Sequence, residues 1–299
     1  HNLIYFIVGR YEFRNKGLDV LIKSLGKVNE RLKKEDTKRT ISVFFWIPAQ
    51  NSGRRTEVLE NKNYYRHIKN FVNYHSDEII NKVISNIVSQ KKLSVSNIFS
   101  DEFFKHLKRD IIHFKRGGDP PLSTHYMDEE KDAMITEMRK NGLNNKEEDK
   151  VKVIIYPVYL DGADEMINLH YYDTIAGCHL GVFPSYYEPW GYTPLESAAL
   201  GVASVTTDLA GFGRFIDKYQ KKGKKEGIFV LKRMNKSEEE IVDNQAEILY
   251  NYAKFSHAER VENKTIAKNK ATLADWGVLI NNYIEANNLA IKKVFGKNN

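Results

Sequence analysis

Thiols are almost absent from this chain: Cys178 is the single cysteine. An internal disulfide framework is therefore excluded, and a reducing compartment, the cytoplasm, is the expected setting. Long apolar runs are missing too. None approaches the roughly 20 residues that a membrane span requires, and no charged-then-apolar leader precedes the first strand-like segment, so a soluble chain with no membrane partner is expected. His67, His75, His106, His113 and His125 show no metal-ligand spacing, and neither metal nor other cofactor is expected. His179, which opens an apolar run, is expected to be a satisfied core group. No internal repeat or low-complexity segment stands out.

What is present is the composition of a folded protein, 41% hydrophobic and 12% aromatic over 299 residues. The net charge of +7 suits an anionic small molecule as well as nucleic acid. The densest basic run, "KYQKKGKKEG" (218–227), contains glycines and no interleaved aromatics, so it is expected to be a solvated loop, with no nucleic-acid partner. The chain starts at His1 and enters a strand-like run almost at once, which suggests a fragment of something longer.

Short apolar runs alternate with helical patterns. "LIYFIV" (3–8), "ISVFFWI" (41–47), "VKVIIYP" (151–157), "HLGVFPS" (179–185), "ASVTT" (203–207) and "GIFVL" (227–231) predict strands. Their near-continuous hydrophobicity predicts a doubly wound, mostly parallel, Rossmann-like α/β sheet. Between about 51 and 149 the periodicity is helical, as in "DEIINKVISNIVSQKKL", which predicts a long insertion. From Ser237, an N-cap followed by acidic residues predicts C-terminal helices over about 237–290.

The stretch "YYEPWGYTPLES" (186–197) leaves a predicted strand and enters a predicted helix. Thr193 as N-cap, Pro194 at the first helical position and Glu196 three residues after the cap spell a capping box, which needs no ligand. Yet ligands of open α/β sheets bind beyond the carboxyl ends of strands, where helix N-termini hold phosphate. There Gly191 would let a ligand approach the backbone, Trp190 and Tyr192 could wall a sugar or base, Glu188 could accept from sugar hydroxyls, and Glu196 could reach a ribose diol. The residues leave both readings of Glu196 open. In "GRYEFRNKG" (9–17), Arg10 and Lys16 follow the first strand, where they could clamp a pyrophosphate as a leaving group. "GFG" (211–213) is expected to shape a further loop of the same site.

The block "GCHLGVFPSYYEPWGYTPLES" (177–197), with "TTDLAGFGRFI" (206–216) and "VGRYEFRNKG" (8–17), resembles glycogen synthases of the animal and fungal type, retaining transferases of the GT-B architecture. Weaker similarity at "PPLSTH" (120–125) and "LADW" (273–276) extends the resemblance to nearly the whole chain. It implies the C-terminal, nucleotide-sugar-binding lobe over 1–299, with the N-terminal lobe absent. It also implies transfer of glucose from UDP-glucose to an α-1,4-glucan acceptor with retention. By family, Glu188 would contact the donor glucose, Glu196 the ribose, Arg10 and Lys16 the diphosphate, and Tyr171 the base, with Tyr192 and Thr193 lining the phosphate turn. The helical insertion stands where the family builds subunit contacts, so a homo-oligomer is expected.

One departure bears on regulation. Before "DW" the family's sugar-phosphate-activated members carry an arginine-rich helix, whereas "RVENKTIAKNKATLADW" (260–276) offers Arg260, Lys264, Lys268 and Lys270. Such control is not expected, because lysines lack the guanidinium fork. No Asp-x-Asp, the short motif of metal-dependent sugar transferases, occurs. Arg10, Lys16 and the turn's amides would then stabilise the departing diphosphate, and same-face attack is favoured over Glu188 as covalent nucleophile. Two alternatives stay open: another retaining GT-B transferase, using ADP-glucose or a small-sugar acceptor, and a binding module without catalysis. Alone, one lobe is expected to turn nothing over.

Overall fold

The opening apolar run forms β1 (Asn2–Val8), followed by α1 (Leu18–Lys33) and β2 (Thr40–Trp46). Helices α2 (Thr56–Tyr74), α3 (Ser76–Val88), α4 (Val95–Ile98), α5 (Asp101–Lys115) and α6 (Ala133–Lys140) come next. Strands and helices then alternate through β3 (Val151–Ile155), α7 (Tyr171–Ala176), β4 (Leu180–Val182), α8 (Tyr192–Ala199), β5 (Ala203–Thr207), α9 (Gly211–Asp217) and β6 (Ile228–Leu231). The helices α10 (Glu238–Lys254), α11 (His257–Ala271) and α12 (Trp276–Phe295) follow. This computed structural model describes residues 2–115, 118–219 and 226–296, so most of the basic run at 218–227 lies outside the described residues.

The six strands pair in parallel in the order β3-β2-β1-β4-β5-β6. Val8 stands beside Trp46 and Phe6 beside Gly181. The doubly wound reading therefore holds, with every pairing parallel. The continuous hydrophobicity of the strands has its reason in this arrangement: β5 is buried at all five positions and β4 at all three. Between β1 and β4 the strand order reverses, so the connections leaving these neighbours run to opposite sides and open a crevice at their carboxyl ends.

Helix α10 starts where predicted. Ser237 accepts from the Glu240 amide, and the Glu240 carboxylate accepts from the Ser237 amide at 2.9 Å, a complete capping box. The helix packs along α1, with Lys23, Lys27 and Arg31 paired to Glu238, Asp243 and Glu247. These exposed pairs each contribute about 0.2–1 kcal/mol. Most of the binding between the two helices is apolar burial of Ile241, Val242 and Leu249 against α1.

The chain forms two compact units, one of His1–Asn51, Pro121–Ser123 and Met127–Asn299, the other of Ser52–Pro120 and Thr124–Tyr126. The second unit is shorter than the insertion predicted over about 51–149. Residues from Met127 onward belong to the first, where Met134, Ile135 and Met138 of α6 are fully buried. In the second unit α2 packs on α5 through Phe71 and Phe103, ring centroids 5.0 Å apart, and through His67 and Asp110. Its α3 leaves Ile80, Ile84, Ile87 and Val88 exposed along one stripe. Among the described residues no helix is long and apolar enough to cross a membrane.

Two stability predictions follow from the core. Gln245 is fully buried on the face of α10 that carries Ile241 and Leu249, and neither polar atom of its amide has a hydrogen-bond partner among the described residues. Gln245→Met removes that desolvation cost at similar volume and is expected to raise unfolding free energy by about 1–2 kcal/mol in a urea titration. His179 acts as the core group that its position suggested: Nδ1 accepts from the Ile4 amide at 3.0 Å. Burial, with Lys264 and Arg260 nearby, holds its pKa down from 6.5 to about 4. The fold thus favours the neutral ring, and its contribution is whole above pH 6.5 and is lost as pH falls toward about 4. His179→Asn, which keeps an acceptor, is expected to flatten the decline of the unfolding midpoint across that window.

Candidate functional site

Beyond β1 the chain turns tightly on itself: the Lys16 amide donates to the Glu12 carbonyl at 2.8 Å and the Leu18 amide to the Phe13 carbonyl at 2.9 Å. The turn ends at Gly17, with φ 69°, where a β-carbon would lie 2.0 Å from the Pro184 carbonyl oxygen. Only glycine fits that approach. It presses the β1 loop against the loop leaving β4, and the Tyr186 amide, donating to the Asn15 carbonyl at 2.7 Å, fastens the two together.

This seam brings Lys16 and Glu188, 172 positions apart in sequence, into direct contact at 2.5 Å, with side chains 18% and 25% exposed. Half-burial makes the pair stronger than a surface ion pair, since less water screens it. Arg10 does not join them. Its guanidinium is 82% exposed and pairs with Glu12 at 3.0 Å, so the two predicted diphosphate cations stand in separate ion pairs. Arg233, which sequence reasoning missed, donates to the Pro184 carbonyl and lies 5.5 Å from the Tyr186 ring, bracing the Glu188 loop from the end of β6. Its only sequence signal is its place just past a strand.

The turn after Glu188 differs from the capping-box reading. Gly191, left-handed at φ 105°, is the N-cap, and α8 begins at Tyr192 with no side-chain cap. Thr193 therefore lies inside the first turn, and Glu196 points elsewhere: its Oε2 accepts from the Tyr171 hydroxyl at 2.9 Å and its Oε1 from the Tyr172 hydroxyl at 3.2 Å. Burial and then the Glu196 charge raise the Tyr171 pKa, while for Tyr172 the Glu196 charge comes first, so both phenols stay donors. Tyr172 was not predicted, and the doublet in "HYYDT" is the only trace of it.

Trp190 packs on Phe212 and Phe215, centroids 5.8 and 5.7 Å away, because its flat apolar face completes the cluster under α8 and α9. The residue as a whole is half-buried, with part of its surface still open beside the turn. Tyr192 is 69% exposed at the start of α8. The "GFG" segment does lie against the turn: the Gly211 amide donates to the Glu188 carbonyl at 3.1 Å and the Phe212 amide to the Trp190 carbonyl at 2.7 Å.

A cleft of about 420 Å³ opens at the carboxyl ends of β1 and β2, walled by Val8, Gly9, Arg10, Trp46, Tyr159 and Tyr171 among others. Its walls are chiefly aliphatic and aromatic, with Arg10 at the charged end, which suits a flat heterocycle carrying an anionic tail. A larger hollow of about 940 Å³ lies along α1, α6 and α10. Lys23, Lys27 and Arg31 there are already paired with α10 carboxylates, and the hollow lies on the flank of the sheet, away from the loops that carry Lys16 and Glu188.

The family model described as glycogen synthase matches residues 1–299. The chain is 33% identical over 294 residues to a liver glycogen [starch] synthase of Mus musculus, covering 98% of this chain and 42% of that one. It is 33% identical over 296 residues to glycogen [starch] synthase of Caenorhabditis elegans and 31% over 306 residues to isoform 2 of Saccharomyces cerevisiae, covering 44% and 43% of them. The chain thus spans less than half the length of these relatives. A solved α,α-trehalose-phosphate synthase (UDP-forming) from Burkholderia vietnamiensis aligns with a TM-score of 0.48 at 9% identity, over 95% of this chain and 44% of that one, a likeness too slight to build on. With its family model matched from end to end, the chain belongs to the glycogen synthase family.

Proposed function

We propose that this chain is the nucleotide-sugar-binding lobe of a retaining transferase that extends an α-1,4-glucan from UDP-glucose, completed by an N-terminal lobe. The observation that carries the reading is the half-buried Lys16–Glu188 pair at the crevice where the strand order reverses. A cation and a carboxylate meeting there can divide a nucleotide sugar between them, Lys16 on the phosphate and Glu188 on the sugar.

In this reading the base enters the cleft beside Tyr171 and the ribose diol meets Glu196. The diphosphate lies between Lys16, Arg10 and the free amides at the start of α8. The anomeric C1–O bond to the phosphate breaks as negative charge builds on the diphosphate, which those cations and amides stabilise. The acceptor's 4-hydroxyl oxygen bonds to C1 from the face the phosphate leaves, and its proton passes to a phosphate oxygen, so configuration is retained. Glu188 orients the glucose and balances the oxocarbenium-like centre. Neither metal nor other cofactor takes part in this scheme, and the proposed setting is the cytoplasm.

We further assign the exposed stripe of α3 to a homo-oligomeric interface, because four aliphatic side chains in one row gain by covering one another.

Calorimetry of this chain with UDP, ADP and UDP-glucose tests the donor site. UDP is expected to bind more tightly than ADP, with Lys16→Ala weakening it by about tenfold or more and Arg10→Ala by less, since Arg10 is the more exposed cation. A folded chain that ignores all three ligands would sink the reading, and tighter binding of ADP would reassign the donor. For the stripe, Ile84→Asp with Ile87→Asp is expected to lower the mass seen by light scattering to that of one chain. An unchanged assembly would rule α3 out.

A further inference from the structure

Glu196 is held from both sides. The first turn of α7 presents two adjacent phenols, their rings 5.1 Å apart and inclined at 54°, and each donates to a different oxygen of the same carboxylate, at 2.9 Å from Tyr171 and 3.2 Å from Tyr172. A glutamate's terminal torsion is ordinarily broad. Here two donors fix the plane of the group, and each oxygen keeps a lone pair to offer. The two tyrosines differ in what else they do. Tyr171 is half-buried and lines the cleft, whereas Tyr172 is 54% exposed and has little packing to contribute. Its hydroxyl bond to Glu196 is the main contact that distinguishes it from a surface aromatic.

We propose that Tyr172 is a positioning residue that fixes the Glu196 carboxylate to face a vicinal diol, so that the site prefers ribonucleotides to their 2′-deoxy counterparts. This rests on the donor-site reading above, in which Glu196 meets the ribose. A carboxylate presenting both oxygens in a set plane matches two neighbouring hydroxyls at once, and a sugar with only one of them forfeits half of the match. Without the Tyr172 phenol the carboxylate is held by Tyr171 alone, and its plane is less fixed and must be ordered further at each binding event.

The test is a ligand-observed NMR titration of this chain and its Tyr172→Phe variant with UDP and with 2′-deoxy-UDP, repeated in the Glu196→Ala background, which leaves the phenol no acceptor. The wild-type chain is expected to favour UDP. Tyr172→Phe is expected to weaken UDP by about fivefold and 2′-deoxy-UDP by less than about twofold, the loss of one modest hydrogen bond. In Glu196→Ala the same substitution is expected to change neither. Because the lost hydroxyl is exposed, thermal midpoints should agree, separating this effect from misfolding. If the wild-type chain binds UDP and Tyr172→Phe matches it, or weakens both ligands by one factor, the positioning role is overturned while the donor site stands. If the wild-type chain binds neither ligand, the donor-site reading falls and this inference with it.

Discussion

The α-carbon of Gly17 and the carbonyl oxygen of Pro184 come so close that no side chain can stand between them, and the strand-end architecture is organised around that approach. It sets the distance between the loop leaving β1 and the loop leaving β4. Those connections would otherwise diverge, because the strand order reverses between their strands. The Tyr186 amide bond to Asn15 and the Lys16–Glu188 pair act across the same seam, and the Arg233 bond to Pro184 braces its β4 side from the end of β6. Each is modest alone; the close approach makes them simultaneous.

Behind the seam the structure is conventional in its energetics. Strands apolar on both faces supply the burial, and α1 and α10 seal one flank with apolar contacts beneath a row of exposed charge pairs. Among the polar groups at or within this interior, His179 and Gln245 meet opposite outcomes. His179 has found a donor in the Ile4 amide and stays neutral, while the Gln245 amide has no hydrogen-bond partner among the described residues. The difference is one of reach: an imidazole at a strand's start lies beside the neighbouring strand's amides, whereas Gln245 shares its buried helix face with Ile241 and Leu249.

Sequence period and hydrophobicity were enough to locate the strands and their parallel pairing, since a short apolar run between helical patterns has few other places to go. Contacts between distant segments were less legible. Position within the loops pointed to Arg10, Lys16 and Glu188, but nothing local says that Lys16 meets Glu188 while Arg10 turns to Glu12. The capping box at Thr193 and Glu196 was a sound local inference overridden by tertiary structure. Gly191 starts the helix two residues earlier, and two tyrosines from α7 capture the carboxylate. Trp190 illustrates the same limit, for nothing in its sequence setting names Phe212 and Phe215 as its neighbours. Tyr172 and Arg233 escaped notice because their importance lies wholly in which remote group they touch.

The ion pair at the seam changes what kind of selectivity the crevice can have. Lys16 holds a carboxylate that is tethered to the same fold and therefore present at high effective concentration. An arriving anion competes with that carboxylate rather than with water alone. A ligand that can offer only a single weak charge gains little by displacing a neighbour already in place. One that brings two linked phosphates, and so engages Arg10 and the α8 amides while taking its share of Lys16, can outbid it. In the donor-site reading proposed above, the pair would work as a threshold, admitting only an anion that gains more from Lys16 than Glu188 already does.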